Sequence, residues 1–294
     1  MKTSYEIATD FPYESKFEVV NGHKLHYIDH GNKKKDPILF LHGIPAYSYI
    51  WRNIIPQVAK DARCIALDFI GMGKSDKPDI DYTFGEHEDY LSKFINQLGL
   101  HNVTLMAHGF GGIIGLSYAM NNDNNIKALS LYEAYVHSFT DKKVSIPTRQ
   151  LLTFLQSNPE ESYNAVVNKN FLIKKTLAHG LVRQITPAEF VQYEAPLKEK
   201  KDREILWKNL MQFKDSANTL IAQQSKYLQK SNKPKLMLYN LPGFVTSMET
   251  INWCQCNISN LTTVELGEGY NFGQETDPKG FGSKLKKWYI GLQD

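Results

Sequence analysis

Cysteine is scarce in this 294-residue chain, which has only Cys64, Cys254 and Cys256. An odd, sparse set cannot build a disulfide framework, and it fits a reducing compartment. Cys254-x-Cys256 has no second cysteine-rich segment to pair with, so no zinc site is expected. Long apolar runs are also missing. Nothing approaches the roughly 18 apolar residues of a membrane helix. The first residues, MKTSYEIATDFPYE, lack the basic-then-apolar order of a signal peptide. A soluble, cytoplasmic protein with no membrane partner is expected. Charge of one sign is in short supply as well. A net charge of +3 is too small to imply a nucleic-acid partner. The runs Lys33-Lys34-Lys35 and Lys198-Glu199-Lys200-Lys201 read as solvated loop faces.

What is present is an ordinary globular mixture, long enough for one large α/β domain or a core with an inserted cap. DPILFLHG (Asp36–Gly43) and RCIALDFIG (Arg63–Gly71) read as buried parallel strands. Between them, Trp51, Ile54 and Ile55 have helical spacing. Leu91, Phe94, Ile95 and Leu98 share a helical face that Gly99 ends. Val103–Ala107 and Ile126–Ala134 are further strands, with a helix starting at Gly111 between them. This alternation predicts a mainly parallel sheet covered by helices on both faces.

The pattern breaks after Ala134. No clear strand lies between about Val136 and Asn232, and helices are expected at Pro147–Leu155, Glu160–Lys169 and Ala188–Ala195. Alternation resumes with strands at Lys233–Asn240 and Leu261–Gly269. A last helix near Gly282–Leu292 turns Leu285, Trp288 and Tyr289 inward. The predicted organisation is a core of residues 1–135 and 233–294 with a helical cap, 136–232, inserted in it. There is no internal repeat or low-complexity segment.

VTLMAHGFGGIIGLSYA (Val103–Ala119) reads as strand, tight turn and helix. In α/β-hydrolases such a turn is a strained elbow with the nucleophile at its tip and small residues around it. His108-Gly109-Phe110-Gly111-Gly112 supplies the small residues, but the tip residue, Gly109, has no side chain. A dinucleotide-phosphate turn is the competing reading. It needs G-x-G-x-x-G in the first strand-helix-strand unit, and this turn comes third or later.

LFLHGIPAYSYIWRNIIP (Leu39–Pro56), DFIGMGKSDKPDIDY (Asp68–Tyr82), NFLIKKTLAHGLVRQITPAEFVQYEAPL (Asn170–Leu197) and GYNFGQETDP (Gly269–Pro278) extend the comparison along the chain. Together they resemble the haloalkane dehalogenases of the α/β-hydrolase fold over nearly its whole length. The resemblance implies that fold, with an inserted helical cap and no cofactor. It also implies a mechanism. An Asp at the elbow displaces halide to form an alkyl ester, and a His oriented by an acid activates water to hydrolyse it. An Asn and a Trp bind the halide. Aligned on these motifs, the nucleophile position is Gly109 and the base position is Asn271. Ile44 and Phe110 replace the halide-site Asn and Trp, and the acid position alone is retained, as Glu133. Gly has no nucleophilic atom, an amide accepts no proton at neutral pH, and Ile and Phe offer no N–H to halide. Loss of haloalkane hydrolysis is therefore expected.

His108 and His42 match family histidines read as structural, and Ser117 sits too far along the helix to serve the tip. Tyr270 is a candidate phenol for the pocket, and His179 is a cap histidine. Glu133 has two readings: it hydrogen-bonds the Asn271 amide and holds the pocket together, or it is an acid or base in an apolar cavity. Three functions remain open. One is a binding protein for an apolar small molecule, its pocket lined by Ile44, Phe110, Phe171 and Leu172. Another is a cofactor-free lyase, isomerase or cyclase using Glu133 with Tyr270 or His108. The last is a residual hydrolase working through an activated water.

Overall fold

The structure is a computed structural model that describes residues 7–292 apart from 140, 178 and 216. Its centre is an eight-stranded sheet. In chain order the strands are β1 (Lys16–Val20), β2 (His23–Gly31), β3 (Pro37–Leu41), β4 (Arg63–Leu67), β5 (Val103–His108), β6 (Ile126–Tyr132), β7 (Lys235–Pro242) and β8 (Leu261–Gly269). Their spatial order is β1-β2-β4-β3-β5-β6-β7-β8. β2 runs antiparallel to both β1 and β4, and every other pairing is parallel. The α/β prediction holds, and it missed only the first two strands. β2 carries His, Lys and Asp among its apolar residues, so it does not read as a buried run.

The helices are α1 (Ile55–Val58), α2 (Phe84–Gln97), α3 (Phe110–Asn121), α4 (Ile146–Ser157), α5 (Pro159–Tyr163), α6 (Pro187–Glu194), α7 (Lys200–Asp215), α8 (Ala217–Lys230), α9 (Met248–Asn257), α10 (Gly273–Thr276) and α11 (Pro278–Ile290). Alternate strand residues feed two cores, because successive side chains leave a strand on opposite faces. Leu39 and Leu41 join the core under α2, α3, α8 and α9, whereas Ile38 and Phe40 join the core under α1 and α11.

Between β6 and β7 no described residue is in a strand. The helices expected near Pro147 and Ala188 appear as α4 and α6. The one expected over Glu160–Lys169 is divided into α5 and a π-helical turn, Asn164–Asn168. α7 and α8 were not anticipated. α7 begins at Lys200, so Lys200 and Lys201 are the exposed first residues of a helix rather than part of a loop. On α11, Phe281, Leu285 and Tyr289 form the buried face, and Trp288 is only half-buried.

Candidate functional site

β5 enters the turn at His108 and α3 leaves it at Phe110. At the tip, Gly109 has φ 53° and ψ −116°, a geometry open to glycine and strained for any other residue, of the kind an elbow requires. Its N–H donates to the Tyr132 carbonyl at 3.2 Å, which ties the tip to β6. The glycines on α3 are there because the helix lies directly on β3. A Cβ on Gly111 would stand 2.6 Å from the Leu41 and His42 carbonyl oxygens. Gly109 is different. A Cβ there would meet nothing nearer than Gly43 Cα at 3.8 Å and the Glu133 carbonyl at 4.0 Å, so the tip has room for a side chain.

Above the tip, between sheet and cap, lies a small cavity of about 50 Å³. Gly43, Ile44, His108, Gly109, Phe110 and Asn271 form its floor. Leu151, Leu152 and Leu155 of α4, Leu172, and Leu210 and Phe213 of α7 form its roof. A second, more open space of about 440 Å³ lies outside it, lined by Pro147, Gln150, Phe171, Lys175, His179 and Gly180. Leu151, Phe244 and Asn271 line both, so they form the throat between mouth and cavity.

Two buried groups meet on the floor. His108 Nε2 is 3.3 Å from Asn271 Oδ1, and because a carbonyl oxygen only accepts, Nε2 carries the proton. Burial pushes the His108 pKa down to about 4, so the ring is neutral at pH 7. Its Nδ1 has no partner. With Oδ1 committed to His108, Asn271 Nδ2 makes no hydrogen bond to any described residue.

Glu133 is elsewhere. It sits just past β6 at φ 48° and is fully buried. Oε2 accepts from the backbone N–H groups of Phe244 at 2.9 Å, of Thr246 at 3.3 Å and of Val245. Oε1 has no partner. The expected Glu133–Asn271 contact is not formed: the amide pairs with His108, and the 244–246 backbone takes the carboxylate. Nor does Glu133 line the cavity. Burial pushes its pKa up to about 7, against the pull of the three N–H donors.

Ile44, Phe110, His108 and Leu172 line the cavity, whereas Phe171 lines the mouth. Tyr270 lines neither space. The residue falls at the end of β8, where its carbonyl accepts from the Tyr132 hydroxyl at 3.0 Å. His179 is at the mouth, with Nδ1 2.7 Å from the Lys175 carbonyl. His42 is buried, with Nε2 accepting from the Phe69 N–H at 3.2 Å and Nδ1 3.1 Å from the Gly43 carbonyl. Ser117 accepts from Gln224 of α8, away from the tip. The α4 lining went unnoticed in the sequence, although Thr148, Leu151, Leu152 and Leu155 repeat at i, i+3, i+4 and i+7 and mark one helical face. Among the described residues no three His, Cys, Asp or Glu side chains gather closely enough to hold a metal ion.

A buried charge cluster fastens the cap beside this floor. Arg52 pairs with Glu275 of α10 and, at 3.0 Å, with Glu189 of α6. Arg183 reaches the same two carboxylates at 2.7 and 2.9 Å, and the Tyr193 hydroxyl donates to Glu275 at 2.5 Å.

Comparison with known proteins agrees with this architecture. The family profile described as alpha/beta hydrolase fold matches residues 36–240. A haloalkane dehalogenase of Agrobacterium fabrum is 30% identical over 274 residues, covering 91% of this chain and 88% of that protein. One from Sphingobium indicum is 30% identical over 283 residues, covering 92% and 94%. This chain belongs to the haloalkane dehalogenase family. Solved members superpose closely. The crystal structure of an ancestral haloalkane dehalogenase has a TM-score of 0.89 at 28% identity, covering 95% of this chain and 99% of that one. That of the dehalogenase DatA from Agrobacterium tumefaciens has a TM-score of 0.88 at 27% identity, covering 97% and 98%.

Proposed function

We propose that this family member is a non-hydrolytic pocket protein that binds an apolar small molecule reversibly between sheet and cap. The observation that carries the reading is Gly109: the elbow is built and the space for a nucleophile is there, but no side chain fills it. The rest of the wall supplies no substitute. Thr148 Oγ1 donates to the Phe244 carbonyl at 2.9 Å, so its hydroxyl proton is engaged. His108 is neutral and bound to Asn271, an amide where hydrolysis needs a base. Ile44 and Phe110 present hydrocarbon where a leaving halide would need N–H donors. Covalent catalysis depends on nucleophile and base together, and losing even one normally removes most of the rate.

The relatives' names favour a second reading, a residual dehalogenase. Halide release from a panel of brominated alkanes separates the two. The native protein is expected to release no bromide above background, and a Gly109→Asp, Asn271→His double variant is expected to release some. Catalytic bromide release by the native protein would overturn the pocket reading. A third reading, proton transfer by Glu133, is disfavoured because its carboxylate is turned into the 244–246 backbone and away from the cavity.

A further inference from the structure

The two ends of the cavity differ in polarity, and the difference specifies a ligand. The inner wall is built from Ile44, Phe110, Leu152, Leu155, Leu172 and Phe213, with no group charged at neutral pH. The polar demand lies at the outer end. Asn271 lines the throat and its Oδ1 is taken by His108, so what the amide has left to offer a ligand there is its N–H donor pair. Beyond it, among the described residues, Lys175 is the one lysine or arginine lining the mouth, and no carboxylate lines it. Among the described residues the Lys175 ammonium has no ion-pair or hydrogen-bond partner. The residue's backbone carbonyl meets His179 Nδ1.

We propose that the ligand is an aliphatic carboxylate bound tail-first, its alkyl chain in the inner cavity and its carboxylate at the throat between Asn271 and Lys175. The proposal rests on the reading that the cavity holds an apolar small molecule. A carboxylate is the group that suits both polar features, because its oxygens accept from the amide N–H while its charge faces the ammonium. An alkyl halide uses neither feature, and an alcohol uses the amide alone. The reverse orientation would strand a charge among leucines, which is costly without a partner.

Titration calorimetry on the full chain with octanoate and with octanol tests this. Octanoate is expected to bind about tenfold more tightly than octanol, as a charge-assisted hydrogen bond predicts. Raising the salt concentration should weaken octanoate binding and leave octanol unchanged. Lys175→Glu is at an exposed position, so the fold should tolerate it. It should weaken octanoate about fivefold, within the range of an exposed ion pair, and leave octanol alone. Asn271→Leu should weaken both ligands, octanoate more than octanol, because both accept from the amide N–H and only one is charged. If octanol binds as well as octanoate, or if octanoate ignores Lys175→Glu, the carboxylate assignment falls and the apolar-pocket reading stands. If neither ligand binds by calorimetry or by ligand-observed NMR, both fall.

Discussion

Glu133 shows how far one side chain can depart from what its position suggests. A retained acid would be expected to orient a catalytic partner, but here it braces a loop through three backbone N–H groups. Its pKa rises from 4.5 to about 7 on folding, so between those values the folded state holds a proton that the unfolded state has lost. Stability is greatest below 4.5 and falls as pH rises towards 7, by on the order of 3 kcal/mol for a fully buried group. His108 and His87 act the other way. Both are pushed down to about 4, so they stabilise above 6.5 and lose that contribution as pH falls through 4. Glu133→Gln isolates the carboxyl, because the amide oxygen still accepts from the loop. Urea unfolding at a series of pH values is expected to show the variant gaining on the parent from pH 4.5 to 7, then levelling off. A pH-independent difference would mean that the carboxyl is not desolvated.

At the scale of elements, the contact between α3 and β3 and the seam between cap and core set what the sequence can change. Gly111→Ala would drive a methyl group into two fixed carbonyl oxygens and should cost at least the ~1–3 kcal/mol typical of overpacking. Gly112→Ala meets only Ala134 at 3.7 Å and gains helix propensity, so it should be neutral or slightly stabilising. Thermal melts of the two variants test this pairing, and equal losses would mean that α3 stands off the sheet. At the seam, Arg52→Leu would strand Glu189 and Glu275 without their main buried partner. A loss of about 3–5 kcal/mol is expected, measured as the drop in urea unfolding free energy.

The whole molecule has two cores, and the cap enters both. Ala217, Ile221 and Leu228 of α8 pack into the core on the α2–α3 face, while Leu172, Tyr193 and Leu210 pack into the core on the α11 face. Gln224 of α8 also donates to the Ile113 carbonyl of α3 at 2.7 Å. Core and cap should therefore melt together. Calorimetry is expected to show one cooperative transition with matching van't Hoff and calorimetric enthalpies. A separate low-temperature transition assigned to the cap would contradict the shared packing.

Some of this was determined by the sequence alone. Buried parallel strands are covered on both faces, so PILFL, RCIAL and VTLMAH read as continuous apolar runs at any distance from their partners. The tight turn could be recognised because close helix-strand approach demands small residues, and the lack of a side chain at Gly109 could be read directly from its letter. Tertiary structure decided the rest. β2 is a strand because β1 and β4 satisfy its backbone, and its own composition does not announce it. Asn271 pairs with His108, and Glu133 turns to the 244–246 backbone. A buried polar group takes whichever partner the packed chain brings within about 3 Å, and spacing along the sequence does not reveal that partner.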